Sequence, residues 1–120
     1  MIRGDIVSIK TERIGSNLVK EISYILATEI KDEDIKFVTV TDCKVTNDLS
    51  FAKVYYTVFN LDRKKETHEA LKGASGYIRH LLHDRVDIRH IPELTFVYDE
   101  SIEYGKKIEE IIEDIHEENN

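Results

Sequence analysis

Two β-rich runs separated by a short turn constrain the fold of this chain more than any other feature. Residues 37–46 and 51–59 are rich in valine, threonine, tyrosine and phenylalanine, and the turn-forming residues 47–50 lie between them. This pattern predicts two strands joined as a hairpin. The second run alternates apolar and amphipathic positions, so one face of the hairpin should pack on helices. A phase slip in the first run predicts a bulge near Asp42.

Helical patterns flank the hairpin on both sides. Apolar residues recur in steps of three and four from Ile9 to Ile30, which predicts an amphipathic helix. A second helix should begin near Asp62 as its N-cap. Because glycine inside a helix costs about 1 kcal/mol relative to alanine, Gly73 and Gly76 should interrupt it. We therefore expect a helix-kink-helix unit with the kink at Ala74-Ser75-Gly76.

The remainder of the chain predicts one more strand and one more helix. The only proline, Pro92, ends the connection and precedes a short apolar strand over Leu94–Tyr98. An acidic helix over 100–117 with a frayed tail should follow. The resulting order is an α+β domain with a three-stranded sheet and helices on one face. With no linker or repeat, residues 1–120 are expected to form this single domain.

The acidic charge is concentrated at one end of the chain. The formal net charge is -7, and residues 99–120 alone hold nine acidic and two basic side chains. Residues 63–90 instead carry seven Lys or Arg against four Asp or Glu. A polyanion responds to the local face of a protein, so a nucleic-acid partner is compatible with this composition. No apolar run approaches the ~20 residues of a membrane span and no signal peptide is evident, so we expect a soluble cytoplasmic protein.

Basic residues around the predicted kink are the candidates for contact with RNA. Arginine pairs bidentately with phosphate oxygens, and a helix N-terminus reopened at the kink would add free N–H groups. The predicted RNA-binding residues are Lys10, Arg13, Lys20, Lys53, Lys72, Ala74, Ser75, Gly76, Arg79, Arg85 and Arg89. In the alternative interpretation, Arg79 bridges to a carboxylate such as Asp84 or Glu93. Gly76 then relieves crowding of the helix, and the surface lysines are only solvated.

Enzymatic and metal-binding motifs are not evident. His68, His80, His83 and His90 lack the partners of a tetrahedral zinc site, and no P-loop, dinucleotide fingerprint or nucleophile elbow occurs. We expect no catalytic residue, no metal and no cofactor. Cys43 is expected to be buried filler. Of the aromatic residues, Tyr55 is the best candidate for stacking on a base.

The order and spacing of several short motifs resemble the ribosome-binding factor A family over almost the whole chain. The motifs are Arg13-Ile14, Lys31-Asp32, Val38-Thr39-Val40-Thr41-Asp42, Asp48-Leu49, Ala52-Lys53-Val54-Tyr55, Ala74-x-Gly76-x-Ile78-Arg79, Pro92-Glu93-Leu94-x-Phe96 and Asp99-Glu100-Ser101. One turn departs from the family pattern. The family usually has Asp-Pro-Arg after the first helix, where this chain has Asp32-Glu33-Asp34, so an RNA contact by that turn is in doubt.

The resemblance implies a type II KH-like fold in which the Ala-x-Gly kink replaces the Gly-x-x-Gly loop of ordinary KH domains. It also implies a non-enzymatic factor that binds the small (30S) ribosomal subunit near the 5′ end of 16S rRNA, and we expect this factor to be a monomer. Such a factor assists late maturation, including at low temperature, and is released by assembly GTPases or initiation. Two alternatives stay open: a protein-interaction module whose acidic last helix docks a basic ribosomal protein, and a generic KH-type single-strand binder.

Overall fold

The computed structural model describes residues 9–101, which form two helices and one three-stranded sheet. The elements are α1 (Ile9–Thr28), β1 (Thr39–Val45), β2 (Phe51–Thr57), a short 3-10 turn (Leu61–Arg63), α2 (Lys64–Leu82) and β3 (Glu93–Tyr98). The predicted α+β class and the order of these elements are confirmed. The acidic helix predicted over 100–117 falls almost entirely outside the described residues.

The sheet is mixed, with strand order β1-β2-β3. The hairpin strands β1 and β2 are antiparallel, whereas β2 and β3 are parallel, since the chain crosses over through α2 between them. The register shifts between Val40 and Asp42, which confirms the predicted bulge. Both hairpin strands are shorter than predicted, and Phe37 and Phe59 lie beyond the paired region.

Both helices pack on the same face of the sheet, as the alternation in β2 predicted. Ala52, Val54 and Tyr56 are buried, while Phe51 and Lys53 on the other face are exposed. The core also contains residues from α1 and α2, among them Leu18, Ile22, Ile25, Leu71, Ile78 and Leu82. Each fully buried aliphatic side chain of this kind stabilises the fold by about 1.5–3 kcal/mol. No helix within residues 9–101 has the length and apolar character needed to cross a bilayer.

A glycine sets the distance between α1 and the hairpin. Gly15 is buried on the side of α1 that faces β1, and a Cβ at this position would overlap the carbonyl oxygen of Cys43. Only a residue without a side chain therefore allows α1 to approach the backbone of β1 this closely.

The structure corrects the prediction of a helix-kink-helix unit. Helix α2 is continuous through Ala74-Ser75-Gly76, and none of the described glycines has a positive φ. Leu71 and Ile78, which flank the glycines, are both fully buried. Their burial outweighs the cost of about 1 kcal/mol for each glycine, so tertiary packing keeps the helix intact.

The start of α2 also differs from the prediction. Asp62 is not the N-cap of this helix but lies inside the preceding 3-10 turn. The side chain of Asn60 accepts the hydrogen bond from the backbone N–H of Asp62, at 3.0 Å. Asn60 thus caps the 3-10 turn, while the N-cap position of α2 itself is Arg63, whose side chain makes no capping hydrogen bond.

Candidate nucleic-acid interface

One face of α2 presents glycine backbone together with basic and aromatic side chains. We call this face the glycine surface and define it as Lys72, Gly73, Gly76, Tyr77 and His80, which follow one another at helical spacing and are all exposed. A Cβ added at Gly73 or Gly76 would have no atom within 4 Å. The glycines therefore relieve no crowding within the described chain, which contradicts the alternative interpretation of Gly76.

The chemistry of the glycine surface suits a phosphate backbone. Lys72 offers an ammonium group, and Tyr77 is 52% exposed and available for stacking, while the exposed Glu69, one turn before Lys72 and Gly73, adds one carboxylate to the same face. The bare helix backbone at Gly73 and Gly76 permits close approach of a ligand. Because α2 is continuous, however, its interior N–H groups stay in the helix, and the predicted reopened N-terminus does not exist.

The two predicted RNA-binding residues between the glycines are less accessible to a ligand than the glycines themselves. Ala74 and Ser75 are half-buried, on the side of α2 that turns towards the core. The Ser75 hydroxyl donates a hydrogen bond to the carbonyl of Lys72 at 2.9 Å. The hydroxyl is thus already engaged with its own helix.

Arg79 is held inside the protein and does not project from the glycine surface. Its Nε and Nη2 both donate to the carbonyl oxygen of Ile91, at 3.0 and 2.8 Å. This half-buried guanidinium group joins α2 to the segment before Pro92 and β3. The prediction that Arg79 binds phosphate therefore loses its geometric basis. The alternative pairing with Asp84 or Glu93 is wrong, because the acceptor is a backbone carbonyl.

Arg85 is likewise engaged within the chain. Its Nε lies 2.8 Å from Oε1 of Glu21, and its guanidinium lies over the ring of Tyr24, 4.4 Å from the centroid. Arg85 thereby joins the residues after α2 to the surface of α1. These contacts orient Arg85 along the surface of α1, and its contact with RNA stays a prediction.

The structure brings two of the predicted residues, Lys10 and Arg89, into one cleft. Lys10 from the start of α1 and Arg89 from the connection before β3 line it together with His90 and the hairpin turn. In that turn Leu49 has φ of 63°, an uncommon conformation for a residue with a side chain. We call this the hairpin cleft. Its lining also includes Asp48 and Asp87, so its charge is mixed.

The other predicted residues lie on separate parts of the surface. Arg13 and Lys20 are exposed on α1, seven residues apart and so on one face of that helix. Lys53 lies on the open face of the sheet, away from both helices, directly opposite Lys44. The open face therefore cannot share one flat contact with α2.

Exposure of the aromatic residues differs from the prediction. Tyr55 is half-buried, whereas Tyr77 is 52% exposed and is better placed to stack on a base. The sequence offered a signal for Tyr77, since at 3.6 residues per turn it lies roughly 100–120° around the helix from the core positions Ile78 and Leu71.

His68 and Cys43 both contact the core of the domain. Within residues 9–101, no three His, Cys, Asp or Glu side chains come together as metal ligands. His68 Nδ1 lies 2.9 Å from the hydroxyl of the buried Tyr56. Cys43 is buried, as predicted, and this burial raises the pKa of its thiol to about 12.

The turn that departs from the family pattern is fixed by an ion pair. Arg63 donates from Nε and Nη2 to the two carboxylate oxygens of Asp34, both at 3.0 Å. The hydrogen bond and the nearby negative charge raise the pKa of Arg63. Asp34 thus joins the turn after α1 to the start of α2.

The chain is similar to curated relatives and solved structures of one family. The family model described as ribosome-binding factor A matches residues 10–112. The ribosome-binding factor A of Staphylococcus epidermidis is 48% identical over 110 residues, which cover 91% of this chain and 95% of that protein. The protein of the same name from Staphylococcus carnosus is 47% identical over 108 residues, covering 89% and 94%.

Solved structures give the same result for the fold. The crystal structure of ribosome-binding factor A from Thermus thermophilus superposes with a TM-score of 0.65 at 25% identity, covering 73% of this chain and 94% of that chain. A homology model of the Thermus thermophilus factor, fitted into a cryo-EM map of a 30S complex with that factor, gives a TM-score of 0.59 at 22% identity, with coverage of 72% and 91%. From its sequence match and its fold, this chain belongs to the ribosome-binding factor A family.

Proposed function

We propose that this protein binds the small (30S) ribosomal subunit and assists its late maturation, with 16S rRNA as the main contact. Membership of the ribosome-binding factor A family supports the partner. The observation that carries the contact itself is the glycine surface of α2, where bare backbone lies beside Lys72 and Tyr77 with no packing within the described chain to explain it.

Recognition on this surface would depend mainly on the phosphate backbone and the shape of the RNA. Lys72 and His80 can donate to phosphate oxygens but form no planar fork that reads a base edge. Lys10 and Arg89 in the hairpin cleft, Arg13 and Lys20 on α1, and the exposed Arg85 are proposed as further phosphate contacts, while Arg79 supports α2 from within. Lys53 could contact RNA only if a second strand of RNA reached the open face of the sheet.

Several finer properties implied by the family are part of this proposal. They are a type II KH-like assignment, binding near the 5′ end of 16S rRNA, action at low temperature, and release by an assembly GTPase. The proposed factor acts as a monomer in the cytoplasm by binding rather than by catalysis.

Sedimentation with purified ribosomal particles tests the proposal. The full-length protein is centrifuged with isolated small subunits, large subunits and whole ribosomes at two salt concentrations. We expect co-sedimentation with the small subunit alone, weakening steeply with salt because phosphate contacts release counterions. Binding of short free oligonucleotides as tight as binding of the subunit would instead favour a generic single-strand binder. A folded protein that binds no particle would overturn the proposal.

A further inference from the structure

An exposed apolar cleft lies at the end of the sheet away from the hairpin turn. Phe37 precedes β1 and Phe59 follows β2, so both rings emerge beside the paired residues Thr39 and Thr57. The ring centroids are 6.0 Å apart, and together with Leu61 they line a cleft of about 700 Å³. We call it the phenylalanine cleft. The hairpin cleft, lined by Lys10 and Arg89, lies at the opposite end of the same sheet.

The exposure of this cleft is large for apolar side chains. Phe59 is 86% exposed, Phe37 60% and Leu61 54%, and they are three of the seven large apolar residues that are exposed within residues 9–101. Single exposed apolar residues need no explanation, but several around one concave site mark a surface that binds another molecule. Exposed aromatic rings beside a cleft are also the usual anchors of protein interfaces.

The charge at the rim selects the kind of partner. Glu33, Asp34 and Asp62 line the cleft, and the only cation among its described lining residues, Arg63, is engaged by Asp34 and by Glu66 at 3.5 Å. Lys36 stays beside Phe37, with its ammonium 5.5 Å from the ring centroid, outside the cleft lining. The rim is therefore acidic and disfavours a phosphate backbone. It favours an apolar side chain that is accompanied by lysine or arginine.

Each end of the chain places an aliphatic residue beside a basic one, Ile2-Arg3 and Lys107-Ile108, but neither end is well suited to the cleft. Residues 102–120 hold seven acidic side chains and two lysines, which would repel the acidic rim. Residues 1–8 join the chain at Ile9, beside the hairpin cleft, and would have to run extended along the whole sheet to arrive. A second copy docked symmetrically would bring Glu33 and Asp62 against the same residues.

We propose that the phenylalanine cleft binds a basic protein of the small subunit, through a segment that places an aromatic or branched aliphatic side chain beside lysine or arginine. This inference rests on the proposed function and deepens it by adding a protein contact to the RNA contact. The two contacts use different parts of the molecule, the glycine surface of α2 for RNA and the end of the sheet for protein.

The test is the affinity of full-length Phe59→Ser for purified small subunits, with Phe51→Ser as the matched control. Phe51 is 55% exposed on the open face of the sheet, so both variants remove an exposed ring without opening the core. We expect Phe59→Ser to weaken binding at least fivefold and Phe51→Ser to leave it within twofold, with unchanged circular dichroism for both. Equal binding by Phe59→Ser and wild type would overturn the inference while the proposed function stands.

Photocrosslinking identifies the occupant in the same complex. The full-length protein carrying p-benzoylphenylalanine at position 59 is irradiated with purified small subunits. Digestion of the crosslinked products with nuclease and with protease then shows whether the partner is RNA or protein. A crosslink to a subunit protein, at a basic segment, is expected. A crosslink to rRNA alone, or between two copies of the chain, would overturn the inference. Wild-type protein that fails to bind the subunit at all would overturn the proposed function and this inference with it.

Discussion

Gly15 and Gly76 occupy helices in the same protein, yet their surroundings predict opposite effects of one substitution. A Cβ at Gly15 would meet the carbonyl of Cys43, whereas a Cβ at Gly76 would meet nothing within 4 Å. We expect Gly76→Ala to raise the free energy of unfolding by about 0.5–1 kcal/mol through helix propensity. Gly15→Ala should lower it by about 1–3 kcal/mol through overpacking.

Urea unfolding followed by circular dichroism measures both glycine variants. A lower stability for Gly76→Ala would mean that the backbone at this position is not an ordinary helix, and would restore the predicted kink. Equal stability of Gly15→Ala and wild type would show that α1 can move away from β1 at little cost.

Arg79 provides a second prediction at the residue scale. Removing its fork deprives the carbonyl of Ile91 of two donors, so Arg79→Ala should lower the free energy of unfolding by about 1–3 kcal/mol. Thermal unfolding measures this loss, and the Arg79→Lys variant should lose less stability because one donor remains. If Arg79→Ala unfolded like wild type but lost affinity for the small subunit, the direct phosphate contact would be correct after all.

At the scale of elements, strand β1 carries a titratable group in the core. Burial raises the pKa of the Cys43 thiol from 9.0 to about 12, with the Asp42 carboxylate adding to the shift. The unfolded chain therefore loses this proton near pH 9 while the folded chain keeps it until about pH 12. Because the unfolded state binds fewer protons in this window, stability should fall as pH rises, by at most about 1.4 kcal/mol per pH unit.

The Cys43→Ala variant isolates this contribution. Burial of Tyr56 raises its pKa and destabilises the fold with the same sign at higher pH, so only the difference between wild type and variant belongs to Cys43. We expect the stability of Cys43→Ala, measured by urea unfolding from pH 8 to 10.5, to decline less steeply than that of wild type. Parallel curves would mean that the thiol ionises equally in both states.

The elements also show which kinds of structure the sequence could predict. The hairpin, its bulge near Asp42 and the buried face of β2 follow from local periodicity, and all were predicted. The continuous course of α2 was not, because burial of Leu71 and Ile78 overrides the local preference of the glycines between them. The prediction of Asp62 as the N-cap of α2 was wrong, because a 3-10 turn capped by Asn60 precedes the helix and the N-cap position of α2 is Arg63.

The candidate site was less predictable than the fold, because its residues meet through tertiary contacts. The acceptor of Arg79 is a backbone carbonyl twelve residues away in an irregular connection, and no side-chain pattern marks it. Arg85 finds Glu21 across 64 positions of sequence. The glycine surface, in contrast, lies on one helix, and the sequence placed Lys72 and Gly76 together in the predicted RNA contact. Whether they bind RNA stays a prediction.

At the scale of the whole molecule, the described residues offer different chemistry in different places. The helix side presents the glycine surface and the basic residues of α1, the open sheet face presents Lys44 beside Lys53, and one end presents the phenylalanine cleft. The proposed contact with RNA therefore uses the basic surface on the helix side, and the proposed contact with protein uses the apolar cleft at the end of the sheet.

The most direct test of the central claim is the affinity of Gly76→Glu for isolated small subunits. Glutamate is a good helix former and has open space at this position, so the fold should remain intact. The matched control is Ala27→Glu, which adds the same charge at an exposed position of α1. If the glycine surface contacts rRNA, Gly76→Glu should bind at least tenfold more weakly than Ala27→Glu. Equal affinity of the two folded variants would contradict the account and move the RNA contact away from α2.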